Sequence, residues 1–178
     1  PTVPPPGDYA YSCLGRERMF QYFSAKHRTP GRIIRLNYAI DMRYGVLHDV
    51  ATSVLRGDPI DLSMGHANVI WQGDANAAAL RYLARTTAPT TPINITGPET
   101  ISIRSIAGEF GRLLGKSPKL AGVEATTGWV NNAARMISEI GPLRVTLDTM
   151  VRWTADWVSH GRASLGKPTH YEVRDGKY

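Results

Sequence analysis

The sequence predicts an α/β fold, and three observations support this prediction. Short runs of β-branched residues alternate with longer stretches of helical periodicity. Glycine and proline punctuate the chain where these elements would end. The composition, 42% hydrophobic and 20% charged over 178 residues, is that of a globular chain with a hydrophobic core. Because only about three short strands are visible, we expect part of the sheet to lie outside this chain.

A long helix is predicted near the start of the chain, followed by a strand. Helical periodicity runs from Asp8 to His27 and stops at Thr29-Pro30-Gly31. Its apolar side chains are predicted to share one broad face: Leu14, Met19, Phe20 and Phe23. The β-branched run that begins at Arg32 predicts a strand whose end delivers Asn37 and Tyr38 to a loop.

The middle of the chain alternates helix and strand. Apolar residues at helical spacing from Val46 to Val54 predict a second helix, which Gly57-Asp58-Pro59 stops. Val69 to Trp71 predict a short strand. Asp74 is predicted as the N-cap of a helix over residues 75–84.

A third strand and three further helices are predicted in the second half. The strand at residues 92–97 leads to Ser102, which is predicted to cap a helix that Gly115 closes. One apolar stripe of that helix is predicted to be core: Ile103, Ile106, Phe110 and Leu113. Two more helices are predicted, from Trp129 to Ile140 and from Leu147 to His160.

The composition narrows the possible functions. No run of about 18 uncharged apolar residues is present, so we expect no membrane span. Cys13 is the only cysteine, which excludes an internal disulfide and a cysteine zinc cluster. The five histidines are scattered without an i, i+4 pair, so we expect no metal site. We therefore predict a cytoplasmic protein.

The basic residues are distributed along the whole chain. The net charge is +6 and the pI is about 9.7, a balance also found in nucleic-acid-binding proteins. Because no run of five basic residues occurs, we do not expect nucleic-acid binding. Trp129, Trp153 and Trp157 recur within helical runs and are expected to pack the terminal helices rather than stack bases.

The first helix carries a motif of a known enzyme family. The segment Tyr9-Ala10-Tyr11-Ser12-Cys13 is followed by Glu17. It resembles the catalytic helix of extended short-chain dehydrogenases, the NAD-dependent epimerase/dehydratase family, where Y-x-x-S-K precedes a glutamate four residues on. The resemblance implies that Tyr9 is the catalytic residue and exchanges a proton with a substrate hydroxyl. The family's lysine, four residues later and on the same helix face, lowers the tyrosine pKa and holds the cofactor ribose.

Three later segments resemble motifs of the same family, in the family's order. Arg35-Leu36-Asn37-Tyr38 resembles R-x-x-N-x-Y, Ala67 to Asp74 resembles R-D-[FY]-[IV]-H-V-x-D, and Ile93 to Glu99 resembles N-[IV]-x-G-x-x. The resemblance implies that Asn37 and Tyr38 bind substrate. An asparagine at a strand end is equally often a turn former, so both roles remain open for Asn37.

The resemblance also implies how the chain is organised. It corresponds to the C-terminal part of a Rossmann-type fold, without the N-terminal dinucleotide-binding half. The expected divisions are a Pro-rich lead-in and catalytic-type helix at 1–30, the remaining Rossmann elements and substrate-binding lobe at 31–166, and a polar, extended tail at 167–178. No Gly-rich phosphate-binding turn is present.

The expected cofactor binding and activity depend on the dinucleotide-binding half that lies outside this chain. NAD or NADP would be bound mainly by that half, so this portion alone is expected to be inactive. The partners implied are a small-molecule substrate, sugar-like or otherwise hydroxylated, and a second copy in a homodimer through the Tyr9 helix.

Three departures from the family motifs keep a second interpretation open. Cys13 stands at the lysine position, and a neutral thiol cannot depress the pKa of Tyr9. Arg16, about two turns from Tyr9, is a conceivable substitute. Ala67 stands where an arginine often meets a diphosphate, and Tyr38-Ala39-Ile40 replaces the usual N-x-Y-G-P ending.

Two alternative functions follow from these departures and from the charge. In the first, the protein is a non-catalytic member of the fold that binds a cofactor or partner. Tyr9 would be a buried helix tyrosine, and Cys13 a small packing residue. A nucleic-acid-binding derivative with scattered arginine contacts is a third possibility.

Overall fold

Helices and short strands alternate along the chain, as the sequence predicts, in a computed structural model that describes residues 7–176. The helices are α1 (Gly7–His27), α2 (Val46–Arg56), α3 (Gln72–Arg81), α4 (Ile103–Leu114), α5 (Ala134–Ile140) and α6 (Leu147–Ser159). The strands are β1 (Arg32–Leu36), β2 (Ala39–Ile40), β3 (Pro59–Asp61), β4 (His66–Ala67), β5 (Ile70–Trp71), β6 (Thr91–Ile95), β7 (Ile101–Ser102) and β8 (Lys119–Ala121).

The longest strand pairing joins β1 to β6 in parallel. Arg32 lies opposite Thr91 and Leu36 opposite Ile95, so the predicted strands that begin at Arg32 and at residue 92 are confirmed. Within residues 7–176 neither strand has a second neighbour. The remaining pairings are short: β2 with β5 and β3 with β8 in parallel, and β4 with β7 antiparallel. Most of these short strands have no clear signal in the sequence.

Two hydrophobic clusters form the core. The larger one lies where α2, α4 and α6 pack against one another, with Leu47, Phe110 and Met150 almost fully buried. The smaller one lies between β6, α3 and α5, and includes Ile95 and Met136. The amphipathic patterns read from the sequence thus correspond to buried faces.

The predicted ends of α2 and α4 are confirmed. Ser102 caps α4, where its hydroxyl accepts a bond of 3.3 Å from the Ser105 N–H. Gly57 and Gly115 close α2 and α4 in the left-handed conformation, at φ values of 72° and 64° that disfavour other residues. Three members of the predicted α4 stripe are buried, and Leu113 is partly buried against the same cluster.

Two local predictions are wrong. Asp74 does not cap α3 but lies buried in its first turn, where it accepts bonds from the N–H groups of Arg144 (3.1 Å) and Val145 (2.8 Å). The helix predicted from Trp129 begins only at Ala134. The preceding residues are held as a loop by side-chain amides; for example, Asn68 accepts a bond of 2.8 Å from the Asn131 N–H.

Several residues of the tail predicted at 167–178 make specific contacts with the rest of the chain. Tyr171 is buried in the larger core cluster. The Thr169 N–H and hydroxyl both donate to Asp49, at 2.8 and 2.6 Å. Arg174 bonds the Thr127 carbonyl at 2.7 Å and the Thr127 hydroxyl at 2.6 Å. The lead-in at 1–6 and the final residues 177–178 lie outside the described range.

The span of α1 is confirmed, but within residues 7–176 three of the four side chains of its predicted apolar face are exposed, and only Leu14 is partly buried. Met19, Phe20 and Phe23 are 55%, 62% and 44% exposed, and Ser24 is the buried residue of the helix. Ser24 stabilises the end of α1, because its hydroxyl donates to the Thr29 carbonyl at 2.6 Å and accepts from the Thr90 N–H at 2.8 Å. A helix with this much exposed apolar surface is typical of an interface.

We expect Asp74→Ala to lower the free energy of unfolding by about 2 kcal/mol, because two backbone N–H groups lose a charged acceptor. Denaturant titration followed by circular dichroism measures this change. Asp58→Ala, at an exposed carboxylate, is the matched control and should shift stability by less than about 0.5 kcal/mol. Equal losses in the two variants would contradict a stabilising role for the Asp74 contacts.

Candidate substrate site beside the first helix

One cavity of about 490 Å³ brings the predicted site residues Tyr9, Asn37 and Tyr38 together. Tyr9 comes from α1, while Asn37 and Tyr38 come from the loop that follows β1. The other described residues that line this cavity are Leu36, Ala39, Tyr44, Gly45, Trp129 and Thr169. The roles predicted for the three residues remain predictions, but their proximity is a feature of the structure.

The loop after β1 is held by backbone and hydroxyl contacts. Parallel strands end at a common edge, which is where ligands commonly bind in open α/β sheets. Here the Asn37 N–H donates to the Ile95 carbonyl at 3.1 Å, and the Thr96 hydroxyl bonds the Asn37 carbonyl at 3.3 Å. Tyr38 has a left-handed φ of 40°, and its carbonyl accepts from the Ile70 N–H at 3.1 Å.

Asn37 connects the strand end to the opposite wall of the cavity. Its side-chain Nδ2 donates to the Trp129 carbonyl at 3.2 Å. Trp129 is itself held by the final segment of the described chain, since its indole N–H donates to the Val173 carbonyl at 3.1 Å. The amide of Asn37 therefore helps to shape the cavity.

Four lining residues have no functional signal in the sequence. Trp129 was predicted to lie in a helix, and Tyr44, Gly45 and Thr169 come from unremarkable local sequence. Gly45 has a φ of 118°, and a Cβ there would lie 2.4 Å from a methyl carbon of Ile40. In the sequence, one feature indicates that the backbone at Gly45 is constrained: this glycine directly precedes the apolar pattern of α2.

Tyr9 lies in the first turns of α1 and is 64% exposed. Its backbone carbonyl accepts a bond of 2.7 Å from the Ser12 hydroxyl. The alternative of a buried helix tyrosine is therefore wrong within the described residues. Tyr9 is thus an exposed residue that also lines a cavity.

Cys13 lines a different cavity, of about 670 Å³, between α1 and the start of β1. Its sulfur accepts a bond of 3.4 Å from the Arg16 guanidinium, and the residue is partly buried. Tyr9 is not among the described residues that line this cavity. The structure thus does not bring Cys13 or Arg16 into the Tyr9 cavity.

The cavity beside Tyr9 is aromatic and uncharged. Among the described lining residues, four are aromatic and none is lysine, arginine, histidine, aspartate or glutamate. Such a lining suits a hydroxylated, neutral group, which can pack on rings and bond to hydroxyls and amides. It does not provide the cations that a diphosphate requires.

An ion pair between two family-like segments joins α1 to β1. Arg35 donates from Nε and Nη2 to the two carboxylate oxygens of Glu17, at 2.8 and 2.5 Å. These bonds hold the pKa of Glu17 below its ordinary value, against the opposing effect of its partial burial, and raise the pKa of Arg35. In this chain, Glu17 and Arg35, which occupy positions of the family-like motifs, thus form an ion pair that joins α1 to β1.

Residues 7–176 contain neither a membrane-spanning helix nor a cluster of metal-ligating side chains. No helix there is long and apolar enough to cross a membrane. No group of three or more histidine, cysteine, aspartate or glutamate side chains there has the geometry to hold a metal ion.

Comparison with solved structures shows the fold. The chain matches dTDP-glucose 4,6-dehydratase from Bacillus anthracis in complex with NAD, with a TM-score of 0.72, 16% identity, and coverage of 89% of this chain and 54% of that one. It matches UDP-glucuronic acid 4-epimerase from Bacillus cereus, in complex with UDP-glucuronic acid and NAD, with a TM-score of 0.69, 18% identity, and coverage of 88% and 54%. RMD from Pseudomonas aeruginosa, complexed with NADPH, matches with a TM-score of 0.68, 17% identity, and coverage of 88% and 58%.

The predicted fold resemblance is therefore confirmed: the chain has the fold of the C-terminal part of Rossmann-type epimerase/dehydratase structures. It spans about half the length of these solved structures. No protein-family model and no curated protein sequence matches it.

We expect the Glu17–Arg35 pair to stabilise the chain only while Glu17 is ionised. Because the folded pKa of Glu17 is lowered, this stabilisation is complete above the unfolded pKa of about 4.3 and is lost as pH falls through the folded pKa. Glu17→Gln should therefore flatten the loss of unfolding free energy below about pH 5. Denaturant titrations at several pH values measure this.

Glu99→Gln, at an exposed glutamate, is the control and should leave the acid dependence unchanged. An acid limb that is equally steep in Glu17→Gln and in the parent chain would argue against a stabilising ion pair.

Proposed function

We propose that this chain is the substrate-binding part of an NAD(P)-dependent epimerase, dehydratase or reductase that acts on a sugar-like or other hydroxylated substrate. The observation that carries the proposal is the cavity shared by Tyr9, Asn37 and Tyr38. The solved structures with the same fold include a dTDP-glucose 4,6-dehydratase and a UDP-glucuronic acid 4-epimerase, each in complex with NAD, and RMD in complex with NADPH. The active protein would combine this chain with a dinucleotide-binding half.

The lining of the cavity supports a hydroxylated group as the part of the substrate bound here. Tyr9, Tyr38 and Tyr44 can exchange hydrogen bonds with hydroxyls, and the rings of these residues and of Trp129 can pack on a sugar face. Ala67 is fully buried in β4, so that position offers no contact to a diphosphate. Any phosphate contacts would come from other residues.

Tyr9 is the proposed proton-exchanging residue, because it lines the cavity and is 64% exposed. A nicotinamide cofactor, when bound, would supply hydride chemistry. This chain would meet only the nicotinamide end, since it has no Gly-rich turn for the pyrophosphate. Cys13, at the position of the family's lysine, has no long donor to offer the ribose.

A second candidate function is binding without turnover, and one observation favours it. No basic side chain is among the described residues that line the cavity with Tyr9. Without a nearby cation the phenol is a poorer proton donor at neutral pH. The protein would then keep the fold and the sugar-binding surface as a binding module.

Exposed apolar residues on α1 also support the proposal that a second copy packs against the Tyr9 helix. Tyr11, Met19 and Tyr22 are each more than half exposed. A twofold pairing of α1 with its twin would cover a self-complementary surface. The dinucleotide-binding half would cover the remaining apolar side chains of α1 and β1, among which Leu36 is 54% exposed.

We expect Tyr9→Phe to reduce kcat by about 100-fold or more if Tyr9 exchanges a proton in the reaction. The rate should be measured in the protein that carries this chain together with its dinucleotide-binding half, with a UDP-sugar and NAD or NADP. Tyr11→Phe, on the same helix and 54% exposed, is the matched control and should keep the parent rate. If Tyr9→Phe also keeps the parent rate, the catalytic role is wrong.

Cys13→Lys separates a weakened enzyme from a binding module. Placing an ammonium four residues from Tyr9 should lower the pKa of the phenol and raise kcat if the reaction is limited by proton transfer from that phenol. Cys13→Met, a neutral side chain of similar length, should not raise it. If neither variant has activity while a UDP-sugar still binds in calorimetry, the binding function is favoured.

A further inference from the structure

The buried histidine of α2 has a defined tautomer. His48 is only 7% exposed, and its Nδ1 lies 2.8 Å from the Met42 carbonyl oxygen. A carbonyl can only accept, so the proton of the neutral ring lies on Nδ1. Nε2 is therefore an unprotonated acceptor.

Ser164 is the residue that faces this acceptor. Its Oγ lies 2.9 Å from His48 Nε2, and the serine is exposed. The other acceptor within reach, the Arg43 carbonyl, is farther away at 3.5 Å. The hydroxyl proton of Ser164 is accordingly directed at His48, while the Gly166 N–H donates to the same oxygen at 3.2 Å. A hydroxyl bonded to an oriented, neutral imidazole is the arrangement that activates a serine nucleophile.

Both residues line a cavity of about 580 Å³ that shares no lining residue with the Tyr9 cavity. Its described lining includes Arg56, Arg162 and Lys167. The one carboxylate in that lining, Asp49, accepts two bonds from Thr169. The Arg162 Nη2 lies 3.5 Å from the Oδ2 of Asp156, a residue that is not part of the described lining. The cavity therefore has an excess of positive charge and favours ligands that carry an anionic group.

We propose that Ser164 and His48 form a nucleophilic site that cleaves esters bearing a carboxylate or phosphate group. Ser164 Oγ bonds to the ester carbonyl carbon while its proton passes to His48 Nε2. The bond from that carbon to the leaving oxygen then breaks, and the leaving alcohol takes the proton from His48. Water hydrolyses the acyl-serine by the same route, which releases the acid and restores the serine hydroxyl.

The test uses the full chain with mono-4-nitrophenyl succinate, an activated anionic ester, and with the neutral 4-nitrophenyl acetate. We expect faster release of nitrophenol from the succinate, and acylation of Ser164 detected by intact mass and peptide mapping. Ser164→Ala should abolish this labelling. His48→Asn should reduce the acylation rate about 100-fold, because its amide can still donate to the Met42 carbonyl but cannot accept the proton.

Ser159→Ala is the matched control. Ser159 also neighbours a histidine, at 3.3 Å from His160 Nδ1, but its hydroxyl donates to the Asp156 carbonyl. Its removal should leave the labelling of Ser164 unchanged. The proposal is overturned if no serine is acylated, if the label falls on Ser159, or if folded His48→Asn, checked by circular dichroism, acylates Ser164 at the parent rate. None of these outcomes bears on the Tyr9 cavity.

Lys167→Gln tests the charge preference. This residue lies in an exposed loop, so the variant should fold. It should narrow the rate difference between the two esters, because one of three lining cations is removed. An unchanged preference in this variant and in Arg56→Gln would contradict the anionic substrate class.

Discussion

The parallel pairing of β1 with β6 positions the rest of the candidate substrate site. Both strands end at the same edge, and one backbone bond, from the Asn37 N–H to the Ile95 carbonyl, extends the pairing by one residue. The chain then turns sharply at Tyr38, whose left-handed backbone leads it to the β2–β5 pair. Residues far apart in sequence, such as Trp129, reach the site because their loops bond to this edge.

The relation of α1 to the rest of the chain follows from the same strand. Arg35 on β1 holds Glu17, and Ser24 holds the turn before β1 together with Thr90. These polar contacts orient the helix, whereas its apolar side chains, including Phe20, remain exposed. A helix fixed by polar contacts and left with an uncovered apolar face fits a chain that spans about half of the structures with its fold.

The cavity beside Tyr9 and the cavity beside His48 place different demands on a ligand. The one beside Tyr9 is aromatic and uncharged, whereas the one beside His48 contains several cations. The segment after α6 contributes to both, because Ser164 lies at one cavity and Thr169 at the other. The tail predicted at 167–178 also lines both cavities, with Lys167 at one and Thr169 at the other.

The sequence by itself determined the α/β class, the spans of α1, α2 and α6 nearly to the residue, and the caps of α4. These features depend on local periodicity and on capping residues such as Ser102 and Gly115. Motif resemblance also singled out Tyr9, Asn37 and Tyr38 as predicted site residues, and the structure places these three residues around one cavity. Only the tertiary structure decided that Asp74 is buried rather than a cap, that Cys13 lies in a separate cavity, and which loops complete each site. Those outcomes depend on contacts between residues distant in sequence, which leave no periodic or local signal in the chain.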